Sequence, residues 1–239
     1  MPSPRLADLV PLDGSVRITA LTGAGLSASA GLGTFRGKGG LWTASPDLQE
    51  ALHADYLPDN VPLLWDVWGG LRHRATTAGP TEGHRALARA GATIVTQNVD
   101  GLHQDAGSTE VHEVHGSSAR ARCLDWSCGW HGESAYRPDN TRPRCPTCGG
   151  PARPDLVLFG ESLDPDVWMA AGRAATTCDV LLVVGTSAMV TPAKWLVPMA
   201  REAGATCINV NLDPTRPIPD PFHAHLIGPA DTILPAWAP

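Results

Sequence analysis

The chain has 239 residues, 43% of them hydrophobic and 18% charged, with a formal net charge of -6. That length can bury a real core, as one large α/β domain or a domain carrying a smaller insert, and no run reaches the roughly 18–20 apolar residues of a membrane span. The acidic balance argues against nucleic acid as a bulk electrostatic partner, and Met1 to Asp13 reads as neither a signal peptide nor a basic arm, so a cytoplasmic location is expected.

In chain order, β-branched and nearly continuous apolar runs occur at Val16 to Leu21, Thr93 to Thr96, Val180 to Val184 and Cys207 to Val210. Such runs predict parallel strands covered on both faces. Helix signals alternate with them. Glu82 to Ala90 follows Thr81 as N-cap and stops at Gly91. Asp164-Pro165 and Thr191-Pro192 each offer an N-cap followed by proline at the first helical position, and Gly204 supplies a stop for the second. The alternation predicts an α/β fold with a Rossmann-like, doubly wound parallel sheet. Two stretches break it, Gly37 to Gly79 and Arg120 to Arg153. We assign both to a smaller inserted lobe of a single domain: small lobe 37–79 and 120–153, large lobe 1–36, 80–119 and 154–239.

Six cysteines divide unevenly. Cys123, Cys128, Cys145 and Cys148 fall in one short stretch, while Cys178 and Cys207 sit in apolar runs as packed thiols. Two close pairs separated by 16 residues can converge on one tetrahedral ion, and thiolates suit zinc. The Cys145-Pro-Thr-Cys148-Gly-Gly turn has the shape of a zinc knuckle, in which backbone amides point at sulfur. His131 is an alternative fourth ligand. No open coordination position is suggested, so the ion is expected to be structural.

Directly after the first strand run comes Thr22-Gly23-Ala24-Gly25-Leu26-Ser27-Ala28. Glycine here allows a tight strand-to-helix turn and close approach of backbone to a pyrophosphate. The acidic residue that a dehydrogenase carries about 20 positions on is missing, which weakens a hydride-transfer reading. The loop continues through Thr34-Phe35-Arg36-Gly37, where Phe35 either covers a flat cationic ring or plugs the core. Gln97-Asn98-Val99-Asp100 follows the second strand run, where open parallel sheets bind ligands. In Val111-His112-Glu113-Val114-His115-Gly116, alternation puts His112 and His115 on opposite faces. His115, just before a glycine, is the better base candidate, and His112 reads as a surface residue.

Taken together, these motifs resemble the sirtuins, NAD-dependent protein lysine deacylases. The match runs in order through Gly23 to Ser27, Thr34 to Gly37, Gln97 to Asp100, His115-Gly116 and the cysteine pairs. It continues through Arg153 to Glu161, Gly185-Thr186-Ser187 and Asn211-Leu212-Asp213. The resemblance implies a site in the cleft between the two lobes. NAD would lie along Gly23, Ala24, Gly25, Ser27, Thr34, Phe35 and Arg36, with Gly185, Thr186, Ser187, Asn211, Leu212, Asp213 and Ala230 nearer the adenosine end. Gln97, Asn98 and Asp100 would surround the nicotinamide and its ribose, Asn98 and Asp100 joining His115 as catalytic residues. The acyl-lysine protein or peptide would add as a strand beside Val157, Phe159, Gly160, Glu161, Met189 and Val190. On the same resemblance its carbonyl oxygen would attack the ribose as nicotinamide leaves, and His115 would then act as general base on the ribose hydroxyls. The products are free lysine, nicotinamide and an O-acyl-ADP-ribose.

Departures from the family pattern bear on the acyl group. Ala30-Gly31-Leu32-Gly33 replaces the usual Ser-Gly-Ile-Pro, so that loop is expected to be looser. Thr34 and Gly37 to Trp42 look like the branch that removes succinyl and malonyl groups, which reads acidic chains with Tyr-x-x-Arg. Here Trp68 and Leu71 stand at those positions, with Arg72 one residue late and so about 100° away around a helix. Uncharged acyl groups, acetyl first, are therefore favoured, with Trp68 narrowing the channel. Desuccinylation, mono-ADP-ribosyl transfer or NAD hydrolysis on the same scaffold, and a non-catalytic NAD-sensing module are the alternatives. The sequence does not fix the oligomeric state.

Overall fold

The computed structural model describes residues 5–35, 39–134, 136, 143–186, 193–213 and 220–239. Among the described residues, nine strands form two sheets. β1 (Ile18–Thr22), β2 (Thr93–Thr96), β3 (Val111–Glu113), β7 (Val180–Val184), β8 (Thr206–Asn211) and β9 (Ala224–Ile227) make one. β4 (Gly116–Cys123), β5 (His131–Glu133) and β6 (Ala152–Leu156) make the other. The large sheet has the order β3-β2-β1-β7-β8-β9 with every pairing parallel. The chain leaves β1 in one direction and returns through β7 in the other, so the strand order reverses between these two neighbours. That switch point is where an open α/β sheet leaves a crevice at its carboxyl edge.

The apolar strand runs form because both faces are covered. Ile18, Ala20, Val180, Leu182, Ile208 and Val210 pack on one side with Leu87, Leu234 and Trp237 from the helices Glu82–Arg89 and Ala230–Trp237. Leu21, Leu181, Val183 and Cys207 pack on the other with Ala171, Ala175 and Val197 from the helices Pro165–Thr177 and Leu196–Glu202. The sequence signals for Glu82–Arg89 and Pro165–Thr177, and the stop at Gly204, hold. The Thr81 side chain accepts the His84 amide, Asp164 accepts the amides of Asp166 and Val167, and Gly204 adopts φ +95° after the last turn. The expected cap Thr191-Pro192 lies outside the described residues.

The second sheet is antiparallel with the order β5-β4-β6. A separate core covers it, built on Trp42, Leu52, Leu64, Trp65, Trp68 and Leu71 against Ala121, Leu156 and Leu158. The stretch 37–79, which lacks a strand run, is helical where described, with segments Leu41–Ala44, Pro46–Ala51, Val61–Leu64 and Gly70–Ala78. β4 and β6 straddle the positions 119/120 and 153/154 between the expected lobes. The small β9 and the edge strands β3 and β5 carry too few apolar residues to be read from pattern alone.

Candidate active site

Three strand ends build the floor of the cleft. β1 runs into Gly23-Ala24-Gly25, β2 into Gln97-Asn98, and β7 into Gly185-Thr186. The Gly23 amide donates to the Val184 carbonyl at 3.1 Å and the Gly25 amide to the Gly185 carbonyl at 2.8 Å. Only glycine permits that closeness. A Cβ on Gly25 would lie 2.7 Å from the Gly185 oxygen, and Gly185, at φ +60°, would put one 2.4 Å from the Leu26 nitrogen.

Above this floor sits a buried polar cluster. The Asn98 amide nitrogen donates to the Gly23 carbonyl at 3.2 Å and to the Ser27 hydroxyl at 3.1 Å. Ser27 in turn donates to Asp100 Oδ2 at 2.7 Å, while Asp100 Oδ1 accepts the Leu102 amide at 3.0 Å. Burial pushes the Asp100 carboxyl above its ordinary range, against the hydrogen bonds from Leu102 and Ser27 that lower it. Gln97 Nε2 donates to the Thr186 hydroxyl at 2.9 Å, and Asn211 Nδ2 to the Thr186 carbonyl at 3.0 Å, which ties the ends of β2, β7 and β8 together. His115 Nδ1 lies 3.0 Å from the Gln97 carbonyl. Burial lowers the His115 pKa below the ordinary imidazole value, with the Gln97 carbonyl opposing.

The structure thus brings together Gly23, Ala24, Gly25, Ser27, Gln97, Asn98, Asp100, His115, Gly185, Thr186 and Asn211. Leu212 and Asp213 are exposed just beyond β8, and Ala230 opens the helix that packs on the far side of Gly83 through Asp231. Phe35 packs into the small core, the second of the two roles considered for it. It stacks on Trp42 with ring centroids 5.4 Å apart, and it lines a small cavity with Leu71, Asn98 and Asp100. Trp68 joins that aromatic group, edge-on to Trp42 at 6.1 Å. The Thr34 carbonyl accepts the Leu41 amide, anchoring the loop to the small lobe. Arg36, Ser187, Met189 and Val190 lie outside the described residues. Val157, Phe159, Gly160 and Glu161 form the turn after β6, where the Val157 amide donates to the His115 carbonyl at 2.9 Å. His112 departs from expectation. It is half-buried, its Nε2 3.3 Å from the Glu110 carboxylate, because the edge strand β3 folds against the helical layer.

Pattern reading passed over a second polar layer beneath the cluster. His103 Nε2 meets the Thr22 hydroxyl at 2.9 Å, Thr22 meets Thr96 at 2.9 Å, and Thr96 accepts the Asn98 amide at 3.0 Å. Threonine closing both the β1 and β2 runs was the available signal. His84 sits beside it, edge-on to His103 at 4.7 Å.

The Sγ atoms of Cys123, Cys128, Cys145 and Cys148 all lie within 4.8 Å of one another. Four thiolates about 2.3 Å from a tetrahedral zinc would stand roughly 3.8 Å apart. The observed Cys123–Cys148 and Cys128–Cys145 separations of 3.6 Å fit that set. Amides of Asp125 and Gly150 point at the sulfurs of Cys123 and Cys148, both at 3.4 Å. His131 turns to Asp155 instead, at 3.3 Å, and is no ligand. With all four positions taken by protein, the zinc is structural.

A glycine-tightened switch point at the carboxyl edge of a parallel sheet, a buried Ser-Asn-Asp cluster above it and a four-thiol staple in the same chain are the framework of a nucleotide-binding α/β protein. The chain belongs to the Sir2 family, whose model matches residues 23–192. It is 44% identical to the NAD-dependent protein deacylase of Aeropyrum pernix over 82% of this chain and 81% of the relative. It is 42% identical to NAD-dependent protein deacylase 2 of Pyrobaculum aerophilum over 96% and 92%. Among solved structures, a Sir2 homologue in complex with NAD superposes with a TM-score of 0.84 at 35% identity, covering 95% of this chain and 90% of the other. Sir2Af2 bound to a myristoylated histone peptide superposes with a TM-score of 0.73 at 31% identity, covering 95% and 91%.

Proposed function

We propose that this NAD-dependent protein lysine deacylase removes uncharged acyl groups, acetyl foremost, with His115 as general base and Asn98 and Asp100 as its partners in the cleft. NAD, consumed as a co-substrate, supplies the ADP-ribosyl acceptor for the acyl group and releases nicotinamide.

The observation that carries this reading is the disposition of His115. A carbonyl oxygen only accepts, so the contact with Gln97 puts the proton on Nδ1 and leaves Nε2 as a bare lone pair. A buried imidazole with a lowered pKa is neutral at pH 7, the form a general base requires. Asn98 spends its amide hydrogens on Gly23 and Ser27, which leaves its side-chain oxygen as the atom that would accept from a ligand. Asp100 is held by Ser27 and Leu102 in one rotamer, so it needs no reorganisation on binding. Gly23 to Phe35, Gln97, Thr186 and Asn211 would hold the dinucleotide. The acyl-lysine would add along Val157 to Glu161, beside the His115 backbone.

Acyl preference rests on Leu71 and Arg72. Leu71 lines the small cavity beside Asn98 and Asp100, where it can offer a carboxylate nothing. Arg72 points elsewhere, donating to the Asp100 carbonyl at 2.7 Å and to Asp105 at 2.8 Å. No cation lines that cavity among the described residues, so an acidic acyl chain reaching Leu71 would leave a charge uncompensated.

The test is to incubate the protein with NAD and an acetyl-lysine peptide and follow peptide mass and nicotinamide together. Stoichiometric loss of acetyl and release of nicotinamide is expected. Nicotinamide released from NAD while the peptide keeps its acetyl group would refute deacylation in favour of hydrolysis or ADP-ribosyl transfer.

A further inference from the structure

The turn after β6 carries a fastening that the acyl-transfer chemistry does not itself require. Arg153, on β6, is 1% exposed. Its Nη1 donates to the Leu156 carbonyl at 3.1 Å and its Nη2 to Glu161 Oε1 at 2.5 Å. Arg122, on the neighbouring strand β4, donates to the same oxygen at 3.1 Å. The other oxygen, Oε2, accepts the Leu158 amide at 2.9 Å, and the Glu161 amide donates back to the Leu158 carbonyl at 3.0 Å. One guanidinium therefore staples the start of the turn to its end, and both carboxylate oxygens of Glu161 are engaged inside the protein.

Stability alone is a weak reason for such an arrangement. Taking a guanidinium and a carboxylate out of water costs about as much as their pairing returns, and apolar replacements are often neutral. What a two-pronged arginine adds is geometry. The same turn is pinned from its other side by the small-lobe helices. The Ala54 amide donates to the Phe159 carbonyl at 2.9 Å. Gly160, at φ +86°, lies so close to the His53 ring that a Cβ there would fall 2.3 Å from His53 Cε1. The backbone of 157–160 is thus shaped between His53 and the Arg153–Glu161–Arg122 clamp.

We infer that Glu161, gripped by Arg153 and Arg122, is a positioning residue that sets the backbone of 157–160 for the incoming acyl-lysine peptide. Its side chain reads no part of the substrate; it acts through the edge it holds. This role rests on the reading that the acyl-lysine strand adds along that edge. Weakening the clamp should therefore raise the KM for peptide and spare the KM for NAD, because the nucleotide cluster shares no hydrogen bond with it among the described residues.

The experiment is steady-state deacetylation by the zinc-loaded protein, with peptide varied at saturating NAD and NAD varied at saturating peptide. Glu161→Gln keeps the shape and loses the charge that faces two arginines. It should raise peptide KM about tenfold, the scale of a lost charge-assisted hydrogen bond, with NAD KM and zinc content as in the wild type. An unchanged peptide KM, or a parallel rise in NAD KM, overturns the inference. If Glu161→Gln melts early or loses zinc, Arg122→Gln decides. It leaves the Arg153–Glu161 pair in place and should raise peptide KM about threefold on the same scale, whereas a wild-type value overturns the inference. A wild-type protein that frees no lysine overturns the deacylase reading, and the positioning role with it. An active wild type whose variants keep their peptide KM overturns only the positioning role.

Discussion

His115 Nδ1 donates to the carbonyl oxygen of Gln97 across 3.0 Å, so one backbone carbonyl selects the tautomer of the candidate base and leaves Nε2 as the nitrogen with the lone pair. The same burial that presents this nitrogen lowers its pKa. A base must be deprotonated to act, so activity should fall as pH drops through the His115 pKa. The acid limb of kcat/KM for the peptide is expected below the ordinary imidazole value of about 6.5. His115→Ala should lower deacylation by about 10²–10⁴-fold while NAD binding, measured by fluorescence or calorimetry, persists. Retention of the full rate would refute the assignment.

Leu71 and Arg72 make the acyl preference testable from both sides. Leu71→Arg places a guanidinium in the cavity beside Asn98. It should raise kcat/KM for a succinyl-lysine peptide relative to acetyl by about tenfold or more, the scale of one charge-assisted pair. Arg72→Ala should leave that ratio untouched and lower the melting temperature, since it frees Asp105 and the Asp100 carbonyl. A mass-spectrometric acyl panel on the three proteins checks both. Strong succinyl turnover by the wild type would contradict the assignment of Leu71.

Cys145 is buried within the thiol cluster, its sulfur 3.6 Å from that of Cys128. Cys145→Ser should lower the zinc stoichiometry and unfold the three-stranded sheet, because binding free energy at a structural site is folding free energy. Metal analysis with a melting curve is the measurement. Wild-type zinc content and melting temperature would show that the fourth thiol is dispensable.

His84 should make stability depend on pH. Burial is the main cause that pushes its pKa down to about 4, with Asp231 raising it and Arg85 lowering it, and the buried His103 shifts in the same direction. An imidazole whose folded pKa lies below its unfolded value binds more protons when unfolded, so its stabilisation is complete above about pH 6.5 and lost as pH falls toward 4. The loss approaches about 3 kcal/mol for His84. Asp100, with its raised pKa, acts in the opposite sense, its contribution being lost as pH rises. Melting temperatures between pH 7 and 5 should fall in the wild type and less steeply in His84→Asn; parallel curves would exclude His84 as the source.

Much of this protein is local. The four buried strand runs, the caps at Thr81 and Asp164 and the zinc thiols were legible because each depends on residue types a few positions apart. Gly23, Gly25, Asn98 and Asp100 could be nominated the same way, each standing just after a run that predicts a strand, and His115 by its place before Gly116. Other features were not legible, because their partners are distant in the chain. Ser27 meets Asp100 73 positions on, and Thr22 meets His103 81 positions on. Gly25 is small because of Gly185, and Glu161 is spent on Arg122, 39 positions earlier.

No apolar run reaches the length of a membrane span, the acidic composition disfavours nucleic acid, and the ordered motifs set the family and its chemistry. Packing alone decided which nitrogen of His115 meets the Gln97 carbonyl, that Leu71 lines the cavity beside Asn98 while Arg72 turns to Asp105, and that Glu161 holds the turn after β6. The physical reason is one of range. Strand and cap preferences are written in neighbouring residues, whereas a tautomer, a side chain's direction and a buried ion pair are fixed by groups that only folding brings within hydrogen-bond distance.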